Sequence, residues 1–238
     1  MQSDVNSVNM VPVKGGNRVN KADRIKKMRV PNAKGAHEGR LPPGQVLTEK
    51  FPILHEGDIP DYDMTKWTLK VSGKVNKKIT LSYDDLLKMP QTDVLCDIHC
   101  VTRWSKFDTT FTGVLFKDFV KELGIEPESK FVMLYGDFDY TSNIELKDLM
   151  MDNVLLAHSY EGKPLTDKHG WPLRLIVPHL YFWKSVKWLR GFEFVDVNAP
   201  GFWEQNGFHL RGDPYTEERF SEEGYEMPED EWTKKEYD

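Results

Sequence analysis

Two thiols stand close together in the run Leu95-Cys96-Asp97-Ile98-His99-Cys100-Val101-Thr102-Arg103-Trp104-Ser105, and the chain contains no others. A cysteine set among His, Arg, Thr and Ser is placed for chemistry. Basic neighbours favour the thiolate, the form that attacks electrophiles or binds metal, and thiolate sulfur selects soft or thiophilic metals. The Cys96-x3-Cys100 spacing with His99 lacks the second ligand pair of a structural zinc site. A Cys–His nucleophile stays open at this point, as does the plainer alternative that both thiols are small core residues. Neither a Gly-x-Ser-x-Gly elbow nor a Ser/His/Asp set is found.

A second group of reactive side chains lies in Asp167-Lys168-His169-Gly170-Trp171-Pro172-Leu173-Arg174, followed by Lys184-Ser185-Val186-Lys187-Trp188. Arg and Lys here punctuate a stretch that is otherwise apolar. Charged residues are rarely buried without a partner, and an anionic ligand is one such partner. Arginine offers a planar fork for phosphate and lysine a point charge. Internal ion pairs are the alternative. The chain has no Gly-rich phosphate loop, so an anion would be held by side chains and turn amides.

The elements that must position these groups follow from patterning. Trp67–Gly73 alternates and reads as a strand, and Ile79–Ser82 as another. Tyr83–Met89 reads as a short helix with Ser82 as N-cap. Asp93–Cys100 is a strand that delivers the cysteine loop. Leu115–Leu123 is a helix ended by Gly124, Lys130–Tyr135 a strand, Gly136–Ser142 a loop and Leu146–Met151 a short helix. Val154–Tyr160, Arg174–Pro178 and Val186–Phe194 are further strands. Strands and short helices mix without regular βαβ spacing, which favours an α+β class.

At 238 residues with 39% hydrophobic content the chain can bury one substantial core. The net charge of −6 conceals an asymmetry. Residues 1–45 form a polar, basic arm (with a short helix expected around Lys21–Met28), 46–212 a single domain, and 213–238 an acidic tail; solvated tails and tails packed on the body are both compatible with this. The arm lacks interleaved aromatics and the whole chain is acidic, so no nucleic-acid partner is expected. No apolar run is long enough to span a membrane, and no secretory signal is read at the N-terminus. Cytoplasmic residence is therefore the expectation, and in a reducing compartment two close cysteines argue against a disulfide.

Five motifs together resemble the sulfite-oxidase superfamily of molybdopterin enzymes, in particular its short bacterial and archaeal members. They are His-Cys-Val-Thr-Arg-Trp-Ser (99–105), Leu-Leu-Ala (155–157), Asp-x-His-Gly-x-Pro-Leu-Arg (167–174), Trp-Lys-Ser-Val-Lys-Trp-Leu (183–189) and Gly-Phe-Trp-Glu-x-x-Gly-Phe-His (201–209). The resemblance runs from about Phe51 to Phe220. It implies a mononuclear molybdenum–molybdopterin cofactor, with tungsten as the possible substitute metal, and two-electron oxygen-atom transfer. Cys100, not Cys96, matches the thiolate that ligates the metal. His169 and Arg174 match pterin contacts; Ser185, Val186 and Lys187 match the segment that holds the cofactor's phosphate end. His55 matches an early polar position against the pterin. Arg103 lies near where the family places basic residues for an oxyanion substrate, and is expected to act there. Cys96, His99, Tyr140 and Asn143 are further pocket candidates; His158 stands where relatives often carry an aromatic, and His209 reads as structural.

The departures are also informative. The chain has no Cys-x-x-Cys-His haem site and no cytochrome or immunoglobulin-like domain, so the expectation is a separate electron-transfer partner. The substrate expected is a small oxyanion such as sulfite, or an S- or N-oxide of the kind reduced by periplasmic methionine-sulfoxide reductases. A non-catalytic protein that stores or delivers molybdopterin is the alternative.

Overall fold

The computed structural model describes residues 39–221; the expected helix at 21–28 lies outside them. Two mixed sheets form the frame. The first contains β1 (Val46–Leu47), β4 (Thr92–His99), β5 (Trp104–Leu115), β8 (Leu155–Tyr160), β9 (Lys163–Pro164) and β10 (Arg174–Ile176). The second runs β3 (Ile79–Ser82), β2 (Thr68–Gly73), β11 (Leu189–Val195), β6 (Phe131–Gly136) and β7 (Thr141–Glu145). β1 with β5 and β2 with β11 pair in parallel, and the remaining pairs are antiparallel. Among the described residues, four short helices, α1 (Tyr83–Leu87), α2 (Phe116–Glu122), α3 (Leu146–Leu149) and α4 (Phe202–Gln205), complete an α+β fold.

Local chemistry explains several of these elements. Ser82 caps α1: its hydroxyl accepts from the Asp85 amide while Asp85 reaches back to the Ser82 amide, a reciprocal capping box. Ile79 and Leu81 turn to the core on alternate positions of β3, as a strand with one wet face requires. The sequence pattern missed β5, the longest strand, and β7. In β5 the side chains of Ser105, Thr109, Phe111 and Leu115 are all buried at even spacing, but two of the four are polar and hide the alternation. β7, Thr-Ser-Asn-Ile-Glu, buries Ser142 and Asn143 as well as Ile144, so it reads as a loop by composition. The expected strand Val186–Phe194 begins late. Trp188 has φ 52°, a left-handed conformation foreign to strands, and β11 starts at the next residue.

The flanks also pack. Residues 39–45 lie beside the start of β5, and Phe220 bridges to Phe208 within the segment 213–221. Arg40 forms ion pairs with Asp97 and Asp108.

Behind the cysteine region, a buried ion pair ties α4 to β7. Lys184 is fully buried and donates to the Asn143 and Leu210 carbonyls, each at 2.7 Å, while pairing with Glu204. Glu204 also accepts from the Trp183 indole at 2.8 Å. Burial pushes the Lys184 ammonium below its usual range, and the Glu204 charge opposes that push. Removing one member leaves the other charge stranded, at a cost of about 3–5 kcal/mol. Glu204→Ala is therefore expected to lower the urea-unfolding free energy by about that amount, whereas the double variant Lys184→Met/Glu204→Leu should lose less than Glu204→Ala alone.

Candidate cofactor site

β4 ends at His99 and β5 begins at Trp104, so Cys100 sits in the tight connection between two paired strands. Its amide donates to the Trp104 carbonyl at 2.8 Å and its carbonyl accepts from the Arg103 amide at 3.0 Å. The Thr102 hydroxyl donates to the Cys100 sulfur at 3.2 Å. Cys100 lines a partly open cavity whose wall also carries Phe51, His169, Arg174, Phe182 and Lys187.

Cys96 faces elsewhere. It is four residues earlier on β4, is absent from the cavity wall, and packs against Thr109. The Thr109 hydroxyl gives its hydrogen to the Cys96 carbonyl at 2.6 Å, so the Cys96 thiol is the donor across the 3.7 Å contact between them. Burial pushes that thiol up to about 11, and it is a neutral core group. No disulfide joins the two cysteines.

The same cavity is also lined by cations. Arg174, at the start of β10, is 2% exposed. Its fork donates to the His169 carbonyl at 2.9 Å and the Ser185 carbonyl at 3.0 Å, and its plane lies over Phe182 at 4.4 Å. Among the described residues no carboxylate pairs with it, and its Nε has no hydrogen-bond partner. Burial lowers the guanidinium to about 9. A buried cation satisfied only by carbonyls and a ring is a site for an anion.

The neighbouring groups are arranged around that charge. His169 lies flat on Phe51, with ring centroids 4.2 Å apart. Its Nε2 meets the Phe51 carbonyl at 3.1 Å and its Nδ1 the Thr166 hydroxyl at 2.9 Å. A carbonyl only accepts, so Nε2 carries the hydrogen and Nδ1 accepts from Thr166. Burial, helped by Arg174, Lys187 and Lys168, pushes the His169 imidazole down to about 4. Gly170, at φ 103°, turns the chain tightly; a Cβ there would stand 3.0 Å from the Lys187 Cβ. Lys187 reaches the Lys168 carbonyl at 2.9 Å and lies over Trp188.

The structure thus brings Cys100, His55, His169, Arg174, Ser185 and Lys187 to one cavity wall. Val186 is not on that wall; its carbonyl accepts from Leu175 at 2.8 Å and ties the segment to β10. Arg103 is not on it either. Its side chain is part-buried and donates to the Gly44 carbonyl at 3.1 Å. Of the secondary candidates, Tyr140 lines the cavity, while His99 and Asn143 are buried beside it, on Ser105 and Lys184 respectively. His158 bonds Gln91 and Ser159, and His209 accepts from the amides of Arg211 and Gly212 in a turn. Sequence reasoning passed over the aromatic walls, Phe51, Trp104, Phe182, Trp203 and Phe208. In a chain with 12% aromatic residues these read as core, and only the fold shows which of them border a cavity.

The donor set fits a molybdopterin: one cavity is lined by a thiol, by flat aromatic side chains and by a buried guanidinium whose Nε has no partner. The comparisons agree. The model of the family "oxidoreductase molybdopterin binding domain" matches residues 56–203, and the chain belongs to that family. It is a molybdenum-dependent oxidoreductase of the sulfite-oxidase superfamily. It is 48% identical over 184 residues to YuiH, an uncharacterized oxidoreductase of Bacillus subtilis (strain 168), covering 77% of this chain and 93% of that protein. It is 26% identical to the protein-methionine-sulfoxide reductase catalytic subunit MsrP of Campylobacter jejuni, over 65% of this chain and 59% of that one. The sulfane dehydrogenase SoxCD of Paracoccus pantotrophus has the same fold, with a TM-score of 0.57 at 22% identity, over 65% of this chain and 44% of that one.

The His169 environment carries a pH signature. The folded chain holds this imidazole near 4, against about 6.5 in the unfolded chain. The unfolded state therefore binds more protons between those values, so the contribution to stability is complete above about 6.5 and is lost as the pH falls toward 4. His99, also depressed to about 4 by burial, acts in the same direction. The urea midpoint is expected to fall between pH 7.5 and pH 5, and to fall less in His169→Gln, which keeps a donor for Phe51.

Proposed function

We propose that this chain reduces a neutral S- or N-oxide, with Cys100 as the protein ligand to a single molybdenum and with electrons from a separate donor protein. The observation that carries the reading is the division of charge in the cavity. Its buried cation, Arg174, lies with His169 among the groups that would contact the pterin, and Lys187 on the same wall belongs to the segment that would hold the phosphate end. Arg103, the cation expected to meet an oxyanion substrate, points away to Gly44. The wall beside Cys100 is largely aromatic and apolar, with Trp104, Phe208 and Leu54, which suits an uncharged substrate better than sulfite. The sulfoxide reductase named among the relatives supports the same direction.

When bound, the molybdopterin group supplies two-electron redox chemistry and oxygen-atom exchange. The chain's own residues supply the rest. Cys100 would hold the metal, and Thr102, by donating to its sulfur, lowers the electron density offered to that metal. Arg174 and His169 would hold the pterin, Ser185 and Lys187 would fix its anionic end, and the aromatic walls exclude water from the reacting centre. The balanced reaction takes up two electrons and two protons and leaves a sulfide or amine and water.

With a reduced viologen as donor, the purified chain is expected to turn over dimethyl sulfoxide, methionine sulfoxide or trimethylamine N-oxide and to leave sulfite untouched. Sulfite oxidation without any oxide reduction would overturn the proposed direction. Metal analysis of the same preparation separates molybdenum from tungsten. Cys100→Ser should lower turnover by more than the roughly 10–100-fold that loss of an outer-shell partner of a metal costs, while Cys96→Ser should stay close to the parent rate.

A further inference from the structure

The loop that carries Cys100 is held from outside the segment that the family model matches. That segment is 56–203, and the groups that grip the loop come from residues 43–46 and from Arg219. Gln45, 3% exposed, donates its side-chain amide to the Cys100 carbonyl at 3.0 Å. The Val46 amide donates to the Arg103 carbonyl at 2.8 Å. Arg219, 4% exposed, spans both segments: Nη1 donates to the Val101 carbonyl at 2.8 Å and Nη2 to the Pro43 carbonyl at 3.1 Å. Its guanidinium lies over the Tyr181 ring at 4.8 Å, which fixes the plane of the fork.

The loop needs this support. Arg103 has φ 76°, a conformation that side-chain-bearing residues rarely adopt and that persists only where the surroundings impose it. Gly44, at φ 68°, permits the close approach: a Cβ there would come within 2.6 Å of the Arg103 guanidinium and 2.7 Å of the Glu217 carboxylate. The strap is therefore fitted to the loop on both sides, and its charged fork ends on the residue next to the thiol.

We propose that Arg219 is a positioning residue for the metal-ligating thiol, fixing the Cys100–Val101 backbone by bridging it to Pro43. This rests on the reading of Cys100 as the metal ligand. The role is that of a clamp: Arg219 touches neither the cavity nor a substrate. A lysine could supply the charge but cannot reach both carbonyls at once.

The test is hydrogen exchange on the full-length chain as purified, in the parent, Arg219→Met, Arg219→Lys, and a control in the other sheet, Val132→Ala, as a measure of general destabilisation. Exchange of the Cys100 and Arg103 amides is expected to be about tenfold faster in Arg219→Met, as loss of a charge-assisted hydrogen bond allows local opening. Arg219→Lys should fall between Arg219→Met and the parent, and it supplies the test if the methionine variant does not fold. In loaded protein, the Mo(V) electron paramagnetic resonance signal should shift in Arg219→Lys and not in Val132→Ala. Exchange at these two amides that equals the parent's, or that rises no more than in the control at equal loss of stability, overturns the role of Arg219. Exchange reads out with or without metal, so a parent chain lacking molybdenum would contradict the metal reading alone.

Discussion

The arrangement of this protein turns on a buried charge, Arg174, that meets no counter-charge among the described residues. Arg174 is taken out of water at the start of β10 and given carbonyl oxygens and a ring in return. Desolvating an ion costs several kcal/mol even after relaxation, and neutral acceptors offset only part of that. Around it the chain makes other concessions. Gly170 accepts a left-handed turn, and His169 stays neutral and flat on Phe51. Lys187 is drawn to the same wall. A second cation ten residues further on, Lys184, shows what an internally compensated charge looks like: it is equally buried, but Glu204 sits against it. The contrast separates a structural ion pair from a ligand site within one short stretch of sequence.

Much of this was legible beforehand, and for stated reasons. The capping box at Ser82, the alternation of β2 and the helix ended by Gly124 are local signals, and the structure contains them. The loop that carries Cys100 was legible because the motif surrounds one thiol and not the other, and the geometry agrees: Cys96 turns to Thr109 while Cys100 opens on the cavity. Other features depend on tertiary context. The cationic run could not reveal that Lys184 turns into the core and Lys187 to the cavity wall, since both lie in the same polar–apolar pattern. β5 and β7 were hidden because they bury threonine, serine and asparagine that bond to other parts of the chain. The motif position of Arg103 suggests a substrate contact, whereas its side chain lies against Gly44 on a left-handed backbone. That conformation depends on groups about sixty and more than a hundred residues away in sequence.

The site and the frame are joined through aromatic residues. Trp183 lines the cavity and donates its indole N–H to Glu204, and Tyr140 donates its hydroxyl to the Trp183 carbonyl at 2.7 Å. Burial beside Glu204 holds the Tyr140 hydroxyl well above its ordinary range, so it remains a donor. The buried ion pair behind the cavity thereby sets the orientation of its wall, and rigid support of this kind is what a cofactor site requires. The cavity and its charges are thus consequences of packing that extends from the second sheet, through α4 and β7, to the cysteine loop.

The central claim is that Cys100 contributes one sulfur to a molybdenum bound in this cavity. Molybdenum K-edge X-ray absorption on the loaded chain and on Cys100→Ser tests it most directly. The account predicts one sulfur scatterer fewer in the variant, with the pterin sulfurs retained. An unchanged sulfur shell in Cys100→Ser, or its loss in Cys96→Ser instead, would contradict it.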